Sequence, residues 1–293
     1  MNLKIILLAI FMLMITGLFA ETWIYEKKVV IIPTGEKEHQ IKVKPSKYEE
    51  RSGPTSFAID EDENIYIRTS RANILKKFDK NGNYICSSEF EKGLGDYIRF
   101  IGYNDGIIYT MSGNSTTNPV IRRYDKKLNL IDCYRIKKDF KRQMIGIGFI
   151  SNYRGEIGFL RHYSPNKITF RKIELQNNHW RMRETKLMDY NYKKVDLQKH
   201  CDANAFLFRD FDKNGNLYFE ALTGYKKLDK IIIIDKTSKI INTNILIDRC
   251  SYHEIGFMDV TKPFVSRSGN VYNIIPLKDG FRFIKWYKTG EEK

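Results

Sequence analysis

The chain has 293 residues, of which 42% are hydrophobic and 13% aromatic, and it carries a formal net charge of +15. That composition excludes an intrinsically disordered chain, 19 Gly and 7 Pro exclude collagen-like sequence, and four Cys exclude a disulfide scaffold. The charge points to an anionic partner without identifying one.

Lys4 and the α-amino group precede an uncharged run from Ile5 to Ala20. A short positive start, an apolar stretch of this length and a small residue at its end predict a secretory signal over 1–20. Leu18 departs from the small residue preferred near the cut, so an uncleaved anchor is the other reading. The run is short for a membrane span, no Cys follows it for lipid attachment, and no later segment is apolar enough to span. The expected organisation is a signal over 1–20 and one domain over 21–293. The expected location is exported: periplasmic, extracellular or associated with the cell envelope.

Beyond Glu21, Trp23–Ile32 and Gln40–Val43 alternate as strands. A clear unit follows over 53–90: Phe57–Asp60, Asn64–Ile67, Ile74–Phe78 and a strand from Tyr84, separated by turns rich in Asp, Asn and Gly. Its first hairpin recurs at Asn104–Tyr109, Tyr153–Phe159, Asp212–Phe219 and Arg267–Tyr272. Its second recurs as Tyr124-Asp125-Lys126 and Ile234-Asp235-Lys236, with Gln176-Asn177-Asn178 as the turn of the third unit. The first turns fall near residues 63, 106, 155, 215 and 269. Four strands per repeat at roughly this spacing predict an all-β fold, a β-propeller. The longer steps require insertions, and 185–204 reads as one. The last unit lacks a fourth strand, which Trp23–Ile32 can supply. The expectation is a ring of five or six four-stranded blades closed by strands from both termini, the sixth being assembled from the termini themselves.

Over 53–85 the sequence resembles an NHL-type repeat. The residues that carry the resemblance are Gly53-Pro54, Ala58-Ile59-Asp60, Asn64-Ile65-Tyr66-Ile67 and Ile74 through Gly82. Where that family commonly has Asp-Ser after the second strand, this chain has Arg68-Thr69-Ser70. The resemblance implies four-stranded blades around a channel and no single activity, since propellers host enzymes and binding modules alike.

Motifs of chemistry are sparse. Asp210-Phe211-Asp212-Lys213-Asn214-Gly215 matches the first half of a calcium loop, but the twelfth position is Ala221 rather than Glu, which favours a plain hairpin turn. Cys86, Cys133, Cys201 and Cys250 form no CxxC pair. The first two are expected on diverging outer strands. Cys201 and Cys250 flank one blade, where an exported protein could form a disulfide. His253-Glu254 lacks the second His of a zinc-protease helix, and no nucleophile elbow or phosphate loop is present. Asn114-Ser115-Thr116 is a glycosylation sequon. Basic pairs such as Lys76-Lys77, Arg122-Arg123 and Lys126-Lys127 fall around the second hairpins and are expected on a solvated rim.

The leading expectation is an exported, non-enzymatic binding module with no cofactor. Its partner would be an envelope or extracellular protein, a glycan or an anionic polymer, and not a nucleic acid. The alternative is a hydrolase or lactonase with a divalent metal at the channel mouth. Candidate ligand-binding side chains, placed where inner strands begin, are Asp96, His200, Asp202, Asn204, Glu254 and Asp259, with Arg99 and Arg142 as anion clamps.

Overall fold

The structure of the protein is a computed structural model. It describes residues 25–35, 37–41, 44–45, 51–52, 54, 56–68, 74–89, 98–112, 120–135, 149–151, 157–164, 167–176, 179–186, 203, 205–223, 229–235, 239–247, 263–277 and 280–288.

All the named elements are strands. After β1 (Tyr25–Pro33), β2 (Lys44–Pro45) and β3 (Arg51–Ser52) come β4 (Phe57–Ile59), β5 (Ile65–Arg68), β6 (Ile74–Phe78) and β7 (Tyr84–Glu89). Then follow β8 (Ile98–Asn104), β9 (Ile107–Ser112), β10 (Val120–Tyr124) and β11 (Leu130–Arg135). Next are β12 (Phe149–Ser151), β13 (Ile157–Ser164), β14 (Lys167–Gln176) and β15 (His179–Lys186). The chain continues with β16 (Ala205–Phe211), β17 (Leu217–Leu222), β18 (Asp229–Ile234) and β19 (Ile240–Ile247). It finishes with β20 (Phe264–Val265), β21 (Val271–Pro276) and β22 (Gly280–Lys288).

These strands make an all-β propeller. Four meanders, β4–β7, β8–β11, β12–β15 and β16–β19, each form a four-stranded antiparallel sheet. The last four-stranded sheet runs β20-β21-β22-β1, so a strand from near the start of the chain fills its outer place. β1 lies antiparallel to β22 from Tyr25 opposite Lys288 to Pro33 opposite Gly280. Around the centre, β4 lies beside β8 and β20, β12 beside β8 and β16, and β16 beside β20. Side-chain packing is described for four of the blades. β12–β15 follows the same strand order, and Gln176 faces His179 at the hairpin anticipated around Asn177-Asn178.

The period-2 pattern explains the packing. Phe57, Ile59, Ile65 and Ile67 point to one side of the β4–β7 blade and join Tyr272, Ile274, Phe281 and Phe283 of the blade before it. Ala58, Tyr66 and Leu75 point to the other side and meet Ile101, Ile108 and Tyr124. Both faces of a blade are therefore covered, which is why its strands read as continuous apolar runs. Tyr218, Ile231, Ile233, Val271, Ile275 and Trp286 make the equivalent layer between β16–β19 and β20–β22.

Two expectations are corrected. The sixth blade from the termini does not form among the described residues, because β1 is already used to complete the last sheet. Of the stretch Gln40–Val43, only Gln40 and Ile41 are among the described residues, and neither belongs to a named strand. The chain doubles back instead, with Ile41 N donating to Pro33 O (2.9 Å) and Gly35 N to Ile41 O (3.2 Å), and Ile41 makes an isolated parallel bridge with Thr34.

The basic pair Lys76-Lys77 does not lie on a solvated rim. The two side chains are only 6% and 8% exposed and emerge on opposite sides of β6. Lys76 Nζ donates to Glu38 O and Gln40 O, both at 2.7 Å, and to Lys37 O at 3.5 Å, holding the returning loop against the blade. Lys77 Nζ donates to Lys126 O (2.9 Å) and sits over the Tyr66 ring. An ammonium buried between blades is tolerable because carbonyls replace its water.

Candidate functional site

The repeated Asp-to-Asn segments are one turn used many times. Asp60 Oδ1 accepts from the backbone N–H groups of Asp62 (3.0 Å) and Asn64 (2.8 Å). Its Oδ2 accepts from Asn64 Nδ2 and the Tyr66 hydroxyl, both at 2.8 Å. Asp212 does the same with Asn214, Asn216 and Tyr218. Asp79 with Asn81 and Asn83, and Asp125 with Lys127 and Asn129, repeat it on the second hairpins. Ser266 takes the Asp place in the last blade, accepting from Asn270 N at 3.1 Å. Asp212 is thus the anchor of its turn, which accounts for the half-matching calcium motif.

Each turn needs one left-handed residue, normally Gly. Gly82, Gly215 and Gly269 fill it at φ of 86°, 83° and 89°. In the first blade the place is held by Glu63 at φ 65°. The second blade departs from the pattern. Asn104 faces Ile107 directly, leaving a two-residue turn of Asp105 and Gly106 at φ 45° and 81°. Positive φ at both central residues is the type I′ signature.

Four of these first-hairpin turns surround the end of the channel at which β4, β8, β16 and β20 finish. They enclose a cavity of about 380 Å³, within the range that holds a small ligand. Its apolar wall is Ile59, Phe211, Phe264 and Val265, with the rings of Tyr103 and Tyr272. Its polar rim includes Glu61, Glu63, Asp105, Lys213, Arg267 and Ser268, with Asp60 and Asp210 set deeper. Among the lining residues five carboxylates face two cations.

The rim is tied together across blades. Lys285 pairs with Glu63, whose carboxylate also accepts from the Tyr272 hydroxyl (3.4 Å). Burial, reinforced by the Glu63 charge, pushes the Tyr272 phenol well above its ordinary value and keeps it a donor. Lys126 pairs with Glu61 and with Asp62 (3.1 Å), and these contacts raise the lysine above its usual range against the opposing effect of desolvation. Lys213 N donates to Arg267 O (2.8 Å) between neighbouring turns. Arg267 Nη1 donates to Asp105 Oδ1 at 2.9 Å.

Of the side chains singled out from the sequence, Asp96, Arg142, His200, Asp202, Asn204, Glu254 and Asp259 lie outside the described residues. Arg99 falls in β8, and its side chain lies outside them too. The signal over 1–20, the sequon at 114–116, Cys201 and Cys250 also lie outside. Cys86 and Cys133 are free thiols, and burial pushes the Cys86 thiol above its ordinary value. The cavity stands at the end of the channel where the inner strands finish, and the candidate side chains expected where those strands begin are neither placed in it nor excluded from it. The available signal was Asp60–Glu63, four consecutive acids in a turn whose sister copies carry Lys, Arg, Ser and Gly.

No protein-family model matches this chain, and no curated protein does. Solved structures are similar in outline. A catalytically inactive virginiamycin B lyase from Staphylococcus aureus, solved with quinupristin, is 12% identical with a TM-score of 0.43, covering 89% of this chain and 99% of its own. A gluconolactonase from Xanthomonas campestris is 8% identical with a TM-score of 0.38, covering 80% and 72%. A luciferin-regenerating enzyme is 9% identical with a TM-score of 0.41, covering 90% and 96%. Likeness at this level carries no argument about activity, and the propeller is read from the chain's own strand pairing.

Proposed function

We propose that this chain is a binding module whose channel mouth takes a small ligand with an apolar body and a positively charged group. The observation that carries this reading is an apolar wall beneath a rim with more carboxylates than cations. Apolar surface supplies the affinity, and a few placed polar groups set the orientation. Asp60 is fully engaged as a turn anchor, and Glu61, Glu63 and Asp105 are held by cations of other blades. Carboxylates held in this way suit recognition better than proton transfer.

The proposal includes a ring of five blades, counting β12–β15 as the third, and kinship of its blades with NHL-type repeats. It also includes export by the 1–20 segment into an envelope whose anionic polymers match a chain of net charge +15.

The test is titration with auramine O, a cationic aromatic dye that brightens when its rings are immobilised. The expected result is a saturable rise at one site per chain. Ser268→Trp, which fills the rim, should abolish it. No saturable rise, or an equal rise in the variant, would refute the reading. A stoichiometric divalent ion in the purified protein would point instead to the hydrolase or lactonase.

A further inference from the structure

The Arg267–Asp105 ion pair does not join neighbouring blades. Arg267 belongs to the turn after β20 and Asp105 to the turn after β8, while β4 lies between those two inner strands. The contact therefore spans a whole blade, and both residues line the cavity. Its two side chains are 36% and 67% exposed, so water and salt reach the pair. Both ends are firmly seated. Arg267 O accepts from Lys213 N (2.8 Å), and the Asp105 turn is fixed by Gly106 N donating to the Tyr103 hydroxyl (2.9 Å). Only the pair itself is easily exchanged, since exposed ion pairs contribute little net stability.

We propose that the Arg267–Asp105 pair is a removable bar across the cavity mouth. With the bar closed, Val265 and Phe264 beneath it are screened from solute. When it parts, the mouth opens without any change in the blades. The proposal rests on the cavity being a ligand site. A ligand carrying a positive group would open the bar by taking Asp105 from Arg267, and release of the ligand would let it close.

The test needs no ligand. In Val265→Cys, a buried wall position receives a thiol, and its alkylation by neutral iodoacetamide is followed by peptide mass spectrometry. Adding Asp105→Asn or Arg267→Gln should speed labelling about 1.5- to 5-fold, the range that a weak exposed pair allows. Asn tolerates the left-handed backbone at position 105. Labelling in the Val265→Cys protein should accelerate between about 10 mM and about 1 M salt, while the Asp105→Asn version should stay flat. The exchange Asp105→Arg with Arg267→Asp should return the rate to its starting value. Equal rates in every variant, independent of salt, would overturn the bar. Faster labelling in a protein that fails to bind auramine O would keep the bar and refute the ligand class. Dye binding with invariant labelling would do the reverse.

Discussion

The Lys76 anchor can be tested by removing its charge and keeping its length, as Lys76→Met. The ammonium donates to two carbonyls at 2.7 Å and a third at 3.5 Å. Hydrogen bonds to a charged group are worth about 1.5–3 kcal/mol each, which would put the loss near 3–6 kcal/mol. Two effects reduce it. The ammonium no longer has to be desolvated, and Lys37 and Glu38 are exposed, so water can reach their freed carbonyls. A net loss of about 1–3 kcal/mol follows, or roughly 2–12 °C in Tm at the 2–4 °C per kcal/mol typical of domains approaching this size. Thermal unfolding by circular dichroism reads it, with Lys80→Met on the exposed turn as a control expected within about 0.5 kcal/mol of wild type. Limited proteolysis within 34–41 should accelerate in Lys76→Met only. A Tm equal to that of the control, with unchanged proteolysis, would refute the reasoning.

Three other outcomes are expected. A methyl group at Gly106 meets nothing within 4 Å, whereas one at Gly269 would approach the Tyr218 hydroxyl at 2.6 Å, and both backbones are left-handed. Gly106→Ala should therefore cost about 1–2 kcal/mol and Gly269→Ala clearly more by chemical denaturation, because only the second disturbs a buried hydrogen bond. The Asp79 and Asp125 carboxylates are held below their ordinary value, since hydrogen bonds from Asn83 and Asn129 and the turn amides outweigh the upward pull of burial. A depressed carboxylate binds fewer protons folded than unfolded, so its stabilisation is present above about pH 4 and lost as pH falls through the folded value. The double variant Asp79→Asn, Asp125→Asn should thus show a shallower fall in Tm below about pH 4 than wild type. Of the two described thiols, Cys133 is exposed and Cys86 is raised by burial, so alkylation near pH 8 should modify Cys133 first, read by peptide mass.

The propeller was legible because its strands obey a period of two and its turns repeat. Phe57-Ala58-Ile59 and Ile65-Tyr66-Ile67 send alternate side chains to two different neighbours, and that alternation is visible in the letters. The pairing of β1 with β22 was also legible, because a last repeat short of a strand and an alternating N-terminal segment complement each other. The burial of Lys76 and Lys77 was not. A lysine is classed by its charge, while its fate here depends on carbonyls 36 to 49 residues away in sequence. The cavity was hidden for a related reason. Glu63 and Asp105 sit in turns that look like ordinary polar loops, and only ring closure brings them to one mouth with Arg267. Metal and nucleophile motifs have local spacings that a linear reading finds; a rim shared by four hairpins has none.

The seam between β1 and β22 also constrains how the molecule is made. Val29 faces Ile284, roughly 250 residues further on, and contacts of such separation form slowly because a long loop must close first. During synthesis β1 is made roughly 250 residues before its partner, so a strand bearing Val29 and Ile31, exposed even in the finished ring, waits unpaired over that stretch. That interval is the time at which the chain is most open to joining another copy edge to edge.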